Sequence, residues 1–256
     1  MQHKVIIDTE KCIGCGLCKS DCVASNISIE NGKAKLLRDA CIFCGHCEAV
    51  CPQNAITLTG FSDESEEFEQ DTRLDPHTLM QAIKTRRSVR VFKDTPVSEE
   101  ITKQIIEAGR LAPTGGNAQN ISYIVLDKRK AEFEAIAVSM FRKLMLASKP
   151  LSKYIGNIEI DDNFFFKKAP LVIVIASSSK VNASLAAENM AFMAEANGLG
   201  VLFSGFFTMC ANRSRTIRKA MKLKTGYKVI TTLVIGYPGV KYHRTARRQD
   251  ADLTIL

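Results

Sequence analysis

The spacing of apolar positions changes along this chain, and each change marks a different kind of element. In the first sixty residues the apolar runs are short. Ile27 to Glu30 and Lys33 to Leu36 flank Asn31-Gly32, the two-residue signal of a tight hairpin, and Ala55 to Leu58 reads as a further short strand. From Asp75 the period lengthens. Asp75-Pro76 supplies an N-cap and an N1 proline, with Leu79, Met80 and Ile83 on one face of the helix that follows. Ser98 caps a second helix whose Ile101, Ile105, Ala108 and Ala112 form one stripe, ending before Pro113.

Tyr123 to Leu126 predicts a strand, Lys128 to Ser148 a helix, and Leu171 to Ala176 a central strand, apolar without alternation. Val181 to Asn197 has helical spacing, with Ala186, Met190, Met193 and Ala194 on one side. Gly198 and Gly200 stop it before a strand at Val201 to Phe203. A short helix over Thr216 to Leu223, a strand over Lys228 to Gly236 and a polar arm from Tyr237 to Leu256 complete the order. Lys149 to Asn163 is irregular and reads as a candidate lid. Helices and strands mix without strict alternation, which places the chain in the α+β class.

Composition divides the chain. Its 256 residues are 46% hydrophobic, enough for a sizeable core, and the formal charge of +8 is spread in blocks. Residues 1–59 balance, Gly60 to Asp75 is acidic, and the remainder is basic. Phe61 to Asp75 has no periodicity and reads as an acidic linker between a first domain over 1–60 and a second over 76–256. No base-stacking or groove-reading motif accompanies the basic charge, so nucleic acid is not an expected partner. The longest apolar stretch, Ala169 to Ala176, is too short to span a bilayer, and the N-terminus lacks the pattern of a signal peptide; a cytoplasmic location follows as the expectation.

Eight of the nine cysteines precede Pro52, and they repeat: Cys12, Cys15, Cys18 and Cys22 recur as Cys41, Cys44, Cys47 and Cys51. Three thiols at Cys-x2-Cys-x2-Cys spacing match three corners of an iron–sulfur cube, and glycines 14, 16 and 45 permit the turn. Zinc is the competing reading, but zinc ribbons use separated Cys-x2-Cys pairs. Cys210, among Phe206, Phe207 and Met209, reads as a small buried hydrophobe.

The doubled run resembles the two-cluster bacterial ferredoxins, in which the fourth cysteine of each run ligates the other cluster. That resemblance implies two [4Fe–4S] clusters, one on Cys12, Cys15, Cys18 and Cys51, the other on Cys41, Cys44, Cys47 and Cys22. Cys51-Pro52 fits the ferredoxin pattern, whereas Cys22 is followed by Val23.

Arg86-Arg87-Ser88-Val89-Arg90 places three guanidinium groups and a hydroxyl within five residues, a donor set suited to phosphate and carbonyl oxygens. With Phe92, Val97, Arg110-Leu111-Ala112-Pro113 and Thr114-Gly115-Gly116-Asn117-Ala118-Gln119 it resembles the opening of the nitroreductase family. The resemblance implies an α+β domain with a central, mainly antiparallel sheet, and FMN bound at the interface of a homodimer. It implies that Arg86, Arg87, Ser88 and Arg90 contact FMN, that Asn117 bonds the flavin ring, and that Gln119 supports that loop. Ser204 and Gly205 should lie near the flavin N5 and O4, with Arg247 a further phosphate candidate. No side chain is expected to act as a catalytic base.

The function this implies is an oxidoreductase that passes electrons from a donor, ferredoxin or another low-potential carrier, through the clusters to FMN and on to a nitro compound or quinone. An electron-transfer subunit relaying to a protein partner is the alternative, and the absence of a Gly-x-Gly-x-x-Gly fingerprint leaves NAD(P)H open as donor.

Overall fold

The computed structural model describes residues 3–68, 72–148 and 158–256. It divides into two compact units, one of Met1–Arg73 together with Gly115–Ala118, the other of Leu74–Thr114 and Gln119–Leu256.

The first unit has little core. Strand β1 (Lys4–Ile7) pairs antiparallel with β4 (Ile56–Thr59), and β2 (Ile27–Glu30) with β3 (Lys33–Leu36). Asn31 and Gly32 join the latter pair with positive φ at both residues, as a tight hairpin turn matching the strand twist requires. Each cysteine run leads into a single helical turn, α1 (Leu17–Asp21) and α2 (His46–Ala49), entered through left-handed Gly16 and Gly45. Ile27, Ala34, Ala55 and Ile56 are the buried aliphatic side chains, joined by Cys12 and Cys18. Gly14 has a positive φ, and a Cβ there would collide with the Gly32 carbonyl oxygen, so the first run lies directly on the hairpin turn.

The second unit is built on a four-stranded antiparallel sheet in the order β5-β6-β8-β7, with β5 Ile121–Val125, β6 Leu171–Ser177, β7 Gly200–Phe203 and β8 Lys228–Gly236. Every residue of β6 is buried, because helices cover both faces. Val172 and Val174 face a core shared with α5 (Lys130–Ser148), α7 (Gly205–Arg213) and α8 (Arg215–Ala220). Leu171, Ile173 and Ile175 face the other, shared with α4 (Glu99–Arg110) and α6 (Lys180–Ala196). Cys210 is buried in the first of these cores, where burial pushes its thiol pKa up.

Helix α3 (Pro76–Thr85) begins at the expected Asp75 cap, whose carboxylate accepts the Thr78 N–H. Its residues are all exposed, Leu79, Met80 and Ile83 included, so the apolar face read from the sequence has no cover among the described residues. The terminal arm likewise exposes Leu253, Ile255 and Leu256. The irregular segment read as a lid falls on 149–157 for most of its length, outside the described residues. Among the described residues no helix is long and apolar enough to cross a membrane.

One packing detail positions the arginine-rich segment. β7 is an edge strand, and Ser88 bridges to Val201 in parallel while the Val89 N–H donates to the Val201 carbonyl at 3.1 Å. The approach depends on Gly200, where a Cβ would run into the Val89 side chain. Gly200→Ala is therefore expected to lower stability by about 1–3 kcal/mol, the usual effect of overpacking, read as an earlier midpoint in urea unfolding.

Candidate functional site

The eight N-terminal cysteines line two recesses. Cys12, Cys15, Cys18 and Cys51 line one, with Ile13, Leu17 and Ala34; Cys22, Cys41, Cys44 and Cys47 line the other, with Val23, Ile42 and Phe43. Each recess thus draws three thiols from one run and its fourth from the other. The spaces measure about 340 Å³ and 440 Å³, open mouths included.

Main-chain N–H groups are aimed at sulfur in both. Ala34 and Ala55 donate to Cys12 Sγ and Cys51 Sγ, each at 3.3 Å; Asn26 and Phe43 donate to Cys22 Sγ and Cys41 Sγ at 3.4 and 3.3 Å. The Ala34 and Gly14 N–H groups hold the Cys12 thiol below its ordinary pKa, with the Lys33 ammonium adding to the effect. Burial pushes Cys18 up and Cys47 up to about 11. A thiol buried this way ionises when a bound cation offsets its charge. Four thiols with amide donors on their sulfurs therefore fit an iron–sulfur cube in each recess.

In the second unit the arginine-rich segment leaves α3 and runs along β7. Arg86 Nε lies 3.3 Å from Glu188 Oε1, and its guanidinium sits over the Phe203 ring at 5.9 Å. Glu195, two helical turns beyond Glu188 on α6, lies near the Arg87 N–H; burial pushes its carboxyl up to about 6, with the Arg86 charge opposing and Glu188 adding to the rise. Arg87 lies over Tyr242 at 5.4 Å, and Arg90 Nη1 donates to the Ser88 carbonyl at 3.2 Å. Neither Arg87 nor Arg90 has a carboxylate partner among the described residues, so their donors suit an anionic ligand, and the set fits the phosphate of a flavin nucleotide.

The other expected residues are spread out. Ser204 is buried at the end of β7 and donates its hydroxyl to the Phe165 carbonyl at 3.1 Å, while Gly205 opens α7. Asn117 belongs to the first unit and donates its amide to the carbonyls of Ile42 and Phe43, at 3.0 and 2.8 Å. Gln119 is exposed with a positive φ and gives its N–H to Thr114 Oγ1, and Arg247 is exposed on the terminal arm. Sequence reasoning misses Glu195 and Tyr242, which brace the arginine segment; the seven-residue spacing from Glu188 is the signal that places Glu195 on the same helix face.

Residues 83–237, more than half of the chain, match the Nitroreductase family. The chain belongs to that family. Residues 4–52 match a 4Fe-4S dicluster domain. The nitroreductase therefore carries a 4Fe-4S dicluster domain ahead of its nitroreductase domain, the combination of an oxidoreductase with two [4Fe–4S] clusters. An NADPH-dependent oxidoreductase of Staphylococcus aureus is 30% identical over 145 residues, 53% of this chain and 56% of that protein. Among solved structures, a nitroreductase with bound FMN from Desulfitobacterium hafniense aligns with a TM-score of 0.58 at 21% identity, covering 69% of this chain and 97% of its own. An FMN-dependent nitroreductase of Clostridium difficile aligns with a TM-score of 0.56 at 20% identity, covering 71% and 100%. At these identities the likeness is one of fold.

The Glu195 carboxyl has a measurable consequence. Because its pKa is raised on folding from the ordinary 4.5 to about 6, ionising it weakens the folded state as pH rises through that window. Glu195→Gln, which stays neutral, is expected to melt at a higher temperature than the parent at pH 7.5. The gap should close towards pH 4.5 in circular-dichroism melts.

Proposed function

We propose that this nitroreductase takes single electrons from a low-potential donor into its two clusters, gathers them on FMN, and reduces a small organic acceptor such as a nitro compound or a quinone. The observation that carries the reading is the sorting of eight thiols into two four-thiol recesses, in one chain with two guanidinium groups, Arg87 and Arg90, that have no carboxylate partner among the described residues. Bound clusters supply one-electron chemistry and FMN links it to two-electron chemistry; the chain's own residues bind, orient and tune.

Cys12, Cys15, Cys18 and Cys51 would hold one cluster and Cys22, Cys41, Cys44 and Cys47 the other, with the amide donors on sulfur offsetting cluster charge. Arg87, Arg90 and Ser88 would hold FMN phosphate, with Arg247 from the arm. Arg86, already tied to Glu188, orients the segment as well as binding. Since the Ser204 hydroxyl is given to Phe165, the group offered at this corner is main chain: the N–H groups of the first turn of α7, beginning with Gly205, have no helical acceptor. Asn117 and Gln119 would act through the loop that carries them. The exposed α3 face and the exposed apolar residues of the arm support a homodimer in which a second copy covers them.

The chain purified without oxygen is expected to contain about eight irons and one FMN, and the reduced protein to be reoxidised by a nitroaromatic or a quinone. If clusters and flavin reduce yet no small acceptor reoxidises them, the chain is an electron-transfer subunit instead. Ligand exchange is tested by pairs. Cys51→Ala with Cys12→Ala should lose the same half of the iron as either alone, whereas Cys51→Ala with Cys41→Ala should lose nearly all of it. Retention of half in that second pair would refute the exchange. Arg90→Gln is expected to weaken FMN about tenfold or more, the scale of one charge-assisted hydrogen bond, read by flavin fluorescence.

A further inference from the structure

The two cluster recesses differ in what covers them. In the second, the Cys41–Cys44 loop is capped from within the first unit: Asn117 holds the carbonyls of Ile42 and Phe43, and the Phe43 ring rests on His3, which stacks on Phe61 at 4.2 Å. All four of its cysteines are half-buried. In the first recess Cys15 is exposed, and the side chains beside it, Ile13 and Leu17, are 62% and 44% exposed. Lys11 precedes Cys12 and Lys19 follows Cys18 in the chain, both exposed, and Lys33 Nζ donates to the Cys12 carbonyl at 2.7 Å. The acids on the same segments are Asp8, loosely paired with Lys11 at 3.8 Å and accepting the Glu10 and Lys11 N–H groups, Glu10 itself, Asp21, which pairs with His46, and Glu30, opposite Lys33 in the hairpin and paired with Lys35. Lys19 pairs with no carboxylate among the described residues. Val23 and Ile42 are also exposed at the second recess, but His46 there is paired with Asp21, and no thiol of that recess is exposed.

We propose that the rim of Ile13, Cys15 and Leu17, with Lys11 and Lys19 flanking it in the chain and Lys33 on the Cys12 carbonyl, is where a small acidic one-electron carrier protein docks. The Cys12–Cys15–Cys18–Cys51 recess is then the port through which electrons enter. An apolar patch of a few side chains with a charged surround suits a brief redox encounter, in which charge steers association and the small contact lets the partner leave. At each encounter one electron passes from the carrier's reduced centre to the cluster of this recess. The carrier is oxidised by one electron, the cluster reduced by one, and no atom or proton is exchanged. Two encounters supply the pair that an acceptor needs. The inference rests on the reading that electrons enter through the clusters.

The test follows cluster bleaching in the full-length holoprotein by stopped flow, using as reductants a reduced bacterial ferredoxin of net negative charge and photoreduced deazaflavin, which has no docking face. Lys11→Glu with Lys19→Glu is expected to slow reduction by the ferredoxin at least tenfold at low salt, with the deficit shrinking as salt is raised. In this lysine pair deazaflavin rates and iron content should stay at the parent level. Unchanged ferredoxin rates in the lysine pair, or an equal loss with deazaflavin, would each overturn the port. Clusters that reduce normally but pass nothing to an acceptor would overturn the proposed function and leave the port standing.

Discussion

The first unit depends on thiols placed across the repeat. Cys51 lines the recess of the first run and Cys22 that of the second, so the two runs are tied where the aliphatic core is thin. A unit of this size buries too little apolar surface to stand on packing alone, and metal ligation is one of the usual remedies. The local geometry follows from that requirement. Gly14 lies against the hairpin turn, left-handed Gly16 and Gly45 turn each run into its helix, and amide hydrogens converge on sulfur.

The second unit rests on ordinary packing. β6 is buried from end to end between two helical layers, which makes the sheet a rigid frame, and its outer strand β7 offers the edge along which the arginine segment is laid. Glu188 and Glu195, both on α6, and Tyr242 brace that segment, and Arg87 and Arg90 have no carboxylate partner among the described residues. The basic charge of this part of the chain is in this respect a local arrangement of donors as much as a long-range field.

The hairpin, the Asp75 and Ser98 caps, the central strand and the long helices are legible in the amino-acid sequence, because each is enforced locally by turn chemistry, a cap or a sustained period. The two single-turn helices α1 and α2 escape because four or five residues cannot display a period, and α7 because Gly205 and the phenylalanines after it do not read as a helix start. The cysteine repeat announces its chemistry by spacing alone. The braces on the arginines do not: a glutamate on a helix face looks solvated until the segment it opposes is in place. The apolar stripe of α3 is legible as a stripe, but nothing in Leu79, Met80 and Ile83 says whether the covering surface belongs to the same chain.

The placement of Cys51 bears on how the protein is made. During synthesis the first run leaves the ribosome with three of the thiols of its recess, and the fourth follows only after thirty-odd more residues, the whole hairpin and the second run among them. The second recess has Cys22 early but waits for Cys47. Neither site is complete before both cysteine runs have emerged, so cofactor insertion waits for the second run and both sites become fillable within a few residues of each other. A chain that stalls earlier presents unpaired thiols with no cage to enter, which makes the interval between the two runs the stretch of synthesis most exposed to oxidation.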